Sequence, residues 1–161
     1  MAEIVTEKIQ PCLLDRLTDE DPDQKQDSRT SRVISLPRYR DGVLRDLRWL
    51  LNSSAHLEEE HWDQFGEVRR SVLNFGTADF CGKLASSLDF AAIEHEMVET
   101  IKNFEPRIIA STLTVKAVGQ TDKSGPNIVA FEIRGDLWAA PMPEQLYVKT
   151  QLDLDTGQCV L

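Results

Sequence analysis

The sequence predicts an α+β fold in which N-terminal helices pack on a C-terminal antiparallel β-meander of about three to four strands. Apolar residues recur at helical spacing over 36–51 and 90–104, and from residue 108 onwards they alternate with polar residues. Turn-forming residues separate the alternating stretches. Because the helical patterns come first and the strand patterns last, helices and strands are expected to form separate layers around one core.

The first long helix is expected to begin after Ser35, with Pro37 in its first turn, and to end at Asn52. Its apolar residues at helical spacing are Leu36, Val43, Leu47, Leu50 and Leu51. A short helical segment is then predicted within 65–76. In that segment we expect Val68, Val72 and Leu73 to be buried and Gly76 to cap the C-terminus.

The second long helix has a clear start and a continuous apolar stripe. Ser86 and Asp89 have the spacing of a capping box, with Asp in place of the usual Glu. The stripe consists of Phe90, Ile93, Met97, Ile101 and Phe104. Burial of such side chains contributes roughly 1.5–3 kcal/mol each, so the stripe is predicted to be a wall of the core.

Three strands are predicted after this helix, the first of them beginning near Ile108. Their apolar positions are Ile109, Leu113, Val115 and Ala117, then Val129, Phe131, Ile133 and Leu137, then Leu146, Val148, Leu152 and Leu154. Turn signals lie at 122–127, 140–143 and 155–157. Alternation on consecutive strands predicts an antiparallel sheet with one face on the core and one face in water.

The domain organisation is predicted as an N-terminal arm over 1–34 and a single α+β domain over 35–161. Within the arm, "PCLLDRL" (11–17) is an apolar patch, and 18–31 is an acidic stretch without large apolar residues. Such a composition favours a flexible linker. Either the patch docks on its own domain or the linker leaves it available to a partner; the sequence leaves both interpretations open.

Charge and composition limit the classes of partner. The formal net charge of -9 argues against nucleic acid and anionic membranes, because both require a basic surface. No secretion signal and no membrane-spanning run is expected, and Cys12, Cys81 and Cys159 fit a reducing cytoplasm. His56 and His61 flank an acidic stretch, but their spacing is atypical of zinc sites, so no metal and no cofactor is predicted.

A paired-carboxylate site is the main catalytic possibility. Glu94, Glu96 and Glu105 could supply the two carboxylates of a glycosidase. No sequence feature forms a cleft around them, and the sequence contains no nucleophile motif or phosphate-binding loop. We therefore predict that the protein is not an enzyme.

The segment Glu105-Pro106-Arg107 lies where the second long helix gives way to extended chain. The residue before a proline is disfavoured in helical conformation, so the helix should end there. Residues two apart in extended chain point the same way, which places Glu105 and Arg107 side by side. They form either a local surface ion pair or a preorganised contact for another protein; residue types alone do not separate these.

Five stretches occur in an order that resembles one family. They are "LLDRL" (13–17), "VLRDLRWLLN" (43–52), "EVRRSVLNFG" (67–76), "FEPR" (104–107) and "VKTQLDLDTG" (148–157). Their order and spacing resemble the TssE family of type VI secretion baseplate subunits, which is similar to the small wedge protein of contractile phage baseplates. One departure is "GTADF" (76–80), where that family usually has a proline after the glycine.

This resemblance implies a non-enzymatic structural subunit, located in the cytoplasm at the inner-membrane-docked baseplate. It implies that TssF, TssG and TssK are wedge partners and that TssB and TssC form the contractile sheath attached to it. The implied partner-binding residues are Glu105, Pro106 and Arg107, together with Leu13, Leu14, Arg16 and Leu17. Two alternatives stay open: a peptidoglycan hydrolase, and a small regulatory adaptor with the same fold.

Overall fold

The computed structural model describes residues 9–18, 23, 33–56, 64, 66–83, 88–120, 127–139 and 142–161. Within these residues, four α-helices and one 3₁₀ turn precede the strands. The helices are α1 (Leu13–Leu17), α2 (Leu36–Leu51), α3 (Gly66–Arg69) and α4 (Phe90–Phe104), and the 3₁₀ turn is Val72–Asn74. Within the described residues, no helix has the length and apolar content needed to cross a bilayer.

The strands are β1 (Thr114–Gln120), β2 (Ile128–Leu137), β3 (Glu144–Asp153) and β4 (Cys159–Val160). They pair antiparallel in the order β1-β2-β3-β4, which confirms the predicted α+β fold with a C-terminal meander. β1 begins later than predicted. Ile108 makes only an isolated bridge with Leu137, and the chain turns before Thr114 because the Thr112 backbone N–H donates to the Ile109 carbonyl.

The core lies between the helices and the apolar face of the sheet. α2 buries Val43, Leu47, Leu50 and Leu51, and α4 buries Ile93, Met97 and Ile101, as the apolar spacing predicted. The sheet contributes its alternate residues: Val129, Phe131, Ile133, Leu137, Leu146, Val148 and Leu152. The helices and the sheet therefore bury their apolar sides against each other.

Polar side chains fix the ends of both long helices. Asp89 caps α4, where its carboxylate accepts hydrogen bonds from the Ala91 and Ala92 backbone N–H groups; Ser86 lies outside the described residues. At the end of α2, the Asn52 amide donates to the Cys159 carbonyl and accepts from the Cys159 N–H at 2.8 and 2.9 Å. Asn52 thereby attaches the end of α2 to β4.

The segment 66–76 differs from the prediction. Val72 is 82% exposed and Leu73 is 71% exposed, so the prediction that these two side chains are buried was wrong. The reason is that a 3₁₀ turn follows the short α3 and directs Asn74 inward instead, where its amide donates to the Arg69 carbonyl at 3.2 Å. Val68 is half-buried.

Gly76 also has a different role from the predicted helix cap. Its φ is +133°, and a Cβ at this position would lie 2.2 Å from the Ser53 carbonyl oxygen. The next residue, Thr77, exchanges backbone hydrogen bonds with Ser53 and Ala55 on the loop after α2. Glycine is needed here because the two backbone segments touch.

Two described residues of the N-terminal arm belong to the core. Ile9 is 5% exposed, Ile34 is 9% exposed, and the two form an antiparallel bridge in which the Ile34 N–H donates to the Ile9 carbonyl at 3.0 Å. Almost all of the predicted acidic linker lies outside the described residues. The arm is thus attached to the domain on both sides of that stretch.

Candidate partner-binding site

Glu105 ends α4 and turns its side chain inward. Its backbone N–H still bonds to the Ile101 carbonyl at 2.8 Å, but Pro106 prevents the helix from continuing. Glu105 is only 3% exposed, whereas Pro106 lies on the surface. A carboxylate this deeply buried requires a charged partner or several hydrogen bonds.

Arg107 supplies that partner. Its Nε lies 2.7 Å from Glu105 Oε1, and its Nη2 donates to Glu105 Oε2, so the guanidinium forms a bidentate ion pair with the carboxylate. The same Nη2 lies 2.6 Å from Asp46 Oδ2 on α2. Glu105 and Arg107 therefore lie side by side, and the side chain of Arg107 is 17% exposed between two carboxylates.

Asp46 extends this contact into a longer row of charges. Arg45 Nε lies 2.8 Å from Asp46 Oδ1, and Arg45 Nη1 lies 2.5 Å from Asp15 Oδ1 on α1. We call the resulting sequence of charges, namely Asp15, Arg45, Asp46, Arg107 and Glu105, the charge chain. It joins α1 to the end of α4 across the surface of α2.

Two members of the charge chain, Arg107 and Asp15, are stabilised in their charged form. Burial lowers the pKa of Arg107, but Glu105 and Asp46 outweigh it, so this pKa lies above its ordinary value. For Asp15, burial alone would raise the pKa. A hydrogen bond from the Cys12 thiol and the charges of Arg45 and Arg107 outweigh burial, so the pKa of Asp15 is lowered.

An open groove of about 750 Å³ lies beside the charge chain. Glu105, Pro106 and Arg107 line it, as does Leu14 of α1. The aromatic residues that line the groove are Tyr39, Trp49, Phe75, Phe104 and Trp138. Much of this aromatic surface faces water: Trp49 is 51% exposed and Trp138 is 67% exposed.

The Arg107 backbone holds one wall of this groove in place. The Trp138 N–H donates to the Arg107 carbonyl at 2.8 Å, and the Tyr39 hydroxyl donates to the Trp138 carbonyl at 3.0 Å. Burial raises the pKa of Tyr39, so its hydroxyl stays protonated and able to donate. The exposed Trp138 side chain is therefore carried by a fixed backbone.

The "LLDRL" motif forms α1 next to the groove. α1 buries none of its side chains: Leu13 is 69% exposed, Leu17 is 74% exposed and Arg16 faces water. Leu14 lines the groove, and Asp15 ties the helix to Arg45. The structure thus brings the two sequence motifs to one surface, although they lie about ninety positions apart in the chain.

Sequence reasoning missed the residues that join the two motifs. Asp46 and Arg45 lie on α2 between buried positions, and their partners are 61 and 30 residues away. No local spacing signals such a contact. Their only sequence signal is that several charges sit close to the apolar stripe of α2, a pattern that is common on helices.

The other carboxylates of the hydrolase hypothesis have separate structural partners. Glu94 accepts from the Ala117 N–H of β1 at 2.7 Å, and Glu96 accepts from the Ala78 N–H at 2.8 Å. Glu105 is held by Arg107. The three carboxylates therefore serve three different segments, and they do not form a pair across a shared cleft.

The histidine pair is only partly described. His56 is exposed, and His61 lies outside the described residues. Among the residues that the structure describes, no group of three His, Cys, Asp or Glu side chains is placed to hold a metal ion.

The comparisons with known proteins identify one family. The model of the family described as "Baseplate wedge protein gp25" matches residues 37–142, about two thirds of the chain. This range includes Asp46 and Glu105-Pro106-Arg107. No curated protein and no solved structure gave a match. The chain therefore belongs to the gp25 family of baseplate wedge proteins, and its role is that of a structural component of a baseplate.

Proposed function

We propose that this baseplate wedge protein is the TssE-type subunit of a type VI secretion system. In this role it binds the wedge proteins TssF, TssG and TssK and links them to the first ring of the TssB/TssC sheath, in the cytoplasm at an inner-membrane-docked baseplate. The family membership and the ordered motifs support it. The observation that carries it is the meeting of "LLDRL" and Glu105-Pro106-Arg107 at one groove.

The surface proposed to meet the wedge is apolar around a fixed charge. We call Leu13, Leu14, Leu17, Trp49, Pro106 and Trp138 the wedge face. The exposure of its leucine and tryptophan side chains is typical of an interaction site, because most monomeric proteins leave few such contiguous residues uncovered. Burial of this area by a partner stabilises the complex by roughly 25 cal/mol per Å² before the costs of association.

Arg107 supports this binding chiefly by positioning. Both carboxylates around it are already paired with it, so a partner meets a rigid corner whose charged groups have their counter-ions in place. A rigid site loses little conformational entropy when it binds. Arg16 and Pro106, which face water, offer direct contacts beside it.

The sheet offers a different surface for the sheath. Within the described residues, β4 pairs only with Gln151 and Leu152 of β3, so the outer edge of β3 has no strand neighbour over 144–150. An open edge can accept an added strand through backbone hydrogen bonds. The β1 edge is less suitable, because the strand is irregular between Ala117 and Gly119 and Glu94 already binds the Ala117 N–H.

The test is a pull-down of the tagged protein from a host that encodes TssF, TssG and TssK. We compare wild type with Leu13→Ser/Leu17→Ser, whose positions are exposed and therefore leave the fold unchanged. Val118→Ser, at 57% exposure on β1 and outside the wedge face, is the control. Circular dichroism checks the folding of all variants.

We expect wild type and the control to bring down all three wedge proteins and the double variant to lose them. Failure of the wild type to bind TssF and TssG would contradict the proposed function itself. If wild type, the double variant and the control all recover the wedge proteins equally well, α1 does not belong to the wedge face. A single partner unrelated to secretion would favour the adaptor alternative.

A further inference from the structure

Val72 and Leu73 are two adjacent exposed apolar side chains that belong to neither partner-binding motif, "LLDRL" or Glu105-Pro106-Arg107. Val72 is the most exposed large apolar side chain in the described part of the chain, at 82%, and Leu73 is 71% exposed. Exposed apolar side chains that stand singly are common, but two adjacent ones on an ordered turn are a candidate contact.

The turn that presents them is held from both sides. Ser71 Oγ donates to the Val68 carbonyl at 2.9 Å and accepts from the Leu73 N–H at 3.3 Å. Asn74 is buried, and the backbone at Gly76 packs directly against Ser53. Val72 and Leu73 therefore project from fixed backbone, so a partner that buries them orders few additional groups.

This turn is continuous with the groove. Phe75 follows it directly and meets Phe104 edge to face, with ring centroids 5.4 Å apart and planes inclined by 70°. Both rings line the groove, and Phe104 immediately precedes Glu105. The apolar surface thus runs from the Glu105-Pro106-Arg107 corner across Phe104 and Phe75 to the exposed turn.

Two arginines directly precede the turn in an otherwise acidic protein. Arg69 and Arg70 precede it, whereas the chain as a whole carries a formal charge of -9. Arg69 interacts with Glu99 of α4, whose pKa is lowered mainly by the hydrogen bond from Lys102. Arg70 is exposed at the margin of the apolar surface, where a carboxylate of a partner could pair with it.

We propose that Val72, Leu73 and Phe75, here called the apolar ridge, extend the wedge face, and that the protein which occupies the groove also covers the ridge. The covering segment is apolar and carries a carboxylate beside Arg70. This inference rests on the proposed function, because it assigns the ridge to the same wedge partner. It adds a second contact region, outside both partner-binding motifs, and specifies the chemistry of the segment that covers it.

The experiment measures the affinity of the purified protein for purified TssF–TssG complex by titration calorimetry. The test variant is Val72→Ser/Leu73→Ser. The control is Val118→Ser, which removes an apolar side chain of 57% exposure from β1, outside the residues that line the groove. We expect the ridge variant to bind roughly tenfold to a hundredfold more weakly, since it loses two aliphatic side chains that the partner would otherwise remove from water. The control should bind like wild type.

A second arm tests the charge. Arg70→Glu should weaken binding severalfold at low salt and by less at high salt, because an exposed ion pair is screened. Arg70→Lys should restore most of the affinity. If wild type binds TssF–TssG while the ridge variant and Arg70→Glu bind equally well, the ridge inference is wrong and the proposed function stands. If wild type does not bind, both are overturned.

Discussion

Arg107 stabilises the fold of the isolated chain as well as the surface around it. It lies between Glu105 and Asp46, and both carboxylates are largely withdrawn from water. Removing one member of a buried ion pair costs more than the pair itself contributes, because the remaining charge stays buried without a counter-ion. A loss of partner binding in an Arg107 variant would therefore combine an effect on folding with an effect on the interface.

We predict that Arg107→Ala lowers the free energy of unfolding by about 3–5 kcal/mol. The cause is the unpaired carboxylate of Glu105, which is 3% exposed. Urea denaturation followed by circular dichroism measures this change. Arg107→Lys should recover only part of the lost stability, since an ammonium group cannot form the bidentate hydrogen bonds of the guanidinium.

The chain contains a matched control for this prediction. Glu132 and Arg134 have the same two-residue spacing and also form an ion pair, at 2.7 Å, but the side chain of Arg134 is 64% exposed. Arg134→Ala should therefore leave stability close to wild type. If Arg107→Ala and Arg134→Ala lowered the free energy of unfolding equally, burial of the Glu105–Arg107 pair would make no difference to stability.

Of the two contacts that Arg107 makes, the sequence predicted the one with Glu105 but not the one with Asp46. The placement of Glu105 beside Arg107 follows from the proline and the extended chain after it. The third member, Asp46, was beyond sequence reasoning because its contact depends on how α2 packs against the end of α4. Local rules describe neighbours in sequence, whereas this contact joins two elements of the folded core.

At the scale of elements, the long helices were predicted well and the short ones poorly. α2 and α4 bury the middle of their periodic apolar stripes, whereas Leu36, Phe90 and Phe104 at the helix ends are only partly buried. In the segment 66–76 the apolar pattern predicted that Val72 and Leu73 are buried, and this prediction was wrong because both are exposed. A turn this short has no periodicity, and its orientation is set by Asn74 and by the backbone contact at Gly76.

We predict that Gly76→Ala destabilises the protein by about 1–3 kcal/mol or more. The residue adopts a φ of +133°, and the added Cβ would meet the Ser53 carbonyl oxygen at 2.2 Å. The control is Gly66→Ala in α3, where a Cβ meets nothing within 4 Å and helix propensity favours alanine. Thermal unfolding of both variants measures the difference.

A second effect separates this strain from an ordinary loss of stability. Because the backbone at Gly76 supports the apolar ridge, Gly76→Ala should also increase amide hydrogen exchange over 71–77. Unchanged exchange in that segment would mean that the turn keeps its structure without the contact to Ser53.

At the scale of the molecule, the described surface divides into two regions. The wedge face and the apolar ridge lie around α1, the end of α4 and Trp138 at the end of β2. The open edge of β3 lies on the sheet. The predicted order of helices first and meander last was confirmed because strand and helix periods are distinct over long segments. The distribution of exposed apolar residues was not predictable, since it depends on tertiary packing.

The buried Ile9 implies that the N-terminal arm contributes to global stability. We predict that Ile9→Ala lowers the free energy of unfolding by about 2–5 kcal/mol, through loss of a core side chain that is 5% exposed. Leu17→Ala, in the same arm at 74% exposure, should change it by less than about 0.5 kcal/mol. Thermal unfolding compares the two. If Ile9→Ala unfolds like wild type, the start of the arm makes no contribution to the core.

The charge chain also constrains how the sequence can diverge. Its five members alternate in sign from Asp15 to Glu105, so the loss of any inner member leaves a like-charged pair or an unpaired charge. Asp15 and Arg45 should therefore be replaceable together, whereas a joint change of Asp46 and Arg107 must also include Glu105, which would otherwise stay buried without a counter-ion. These partners lie 30 and 61 positions apart. Correlated changes at those positions across related chains would reveal the groove from sequences alone.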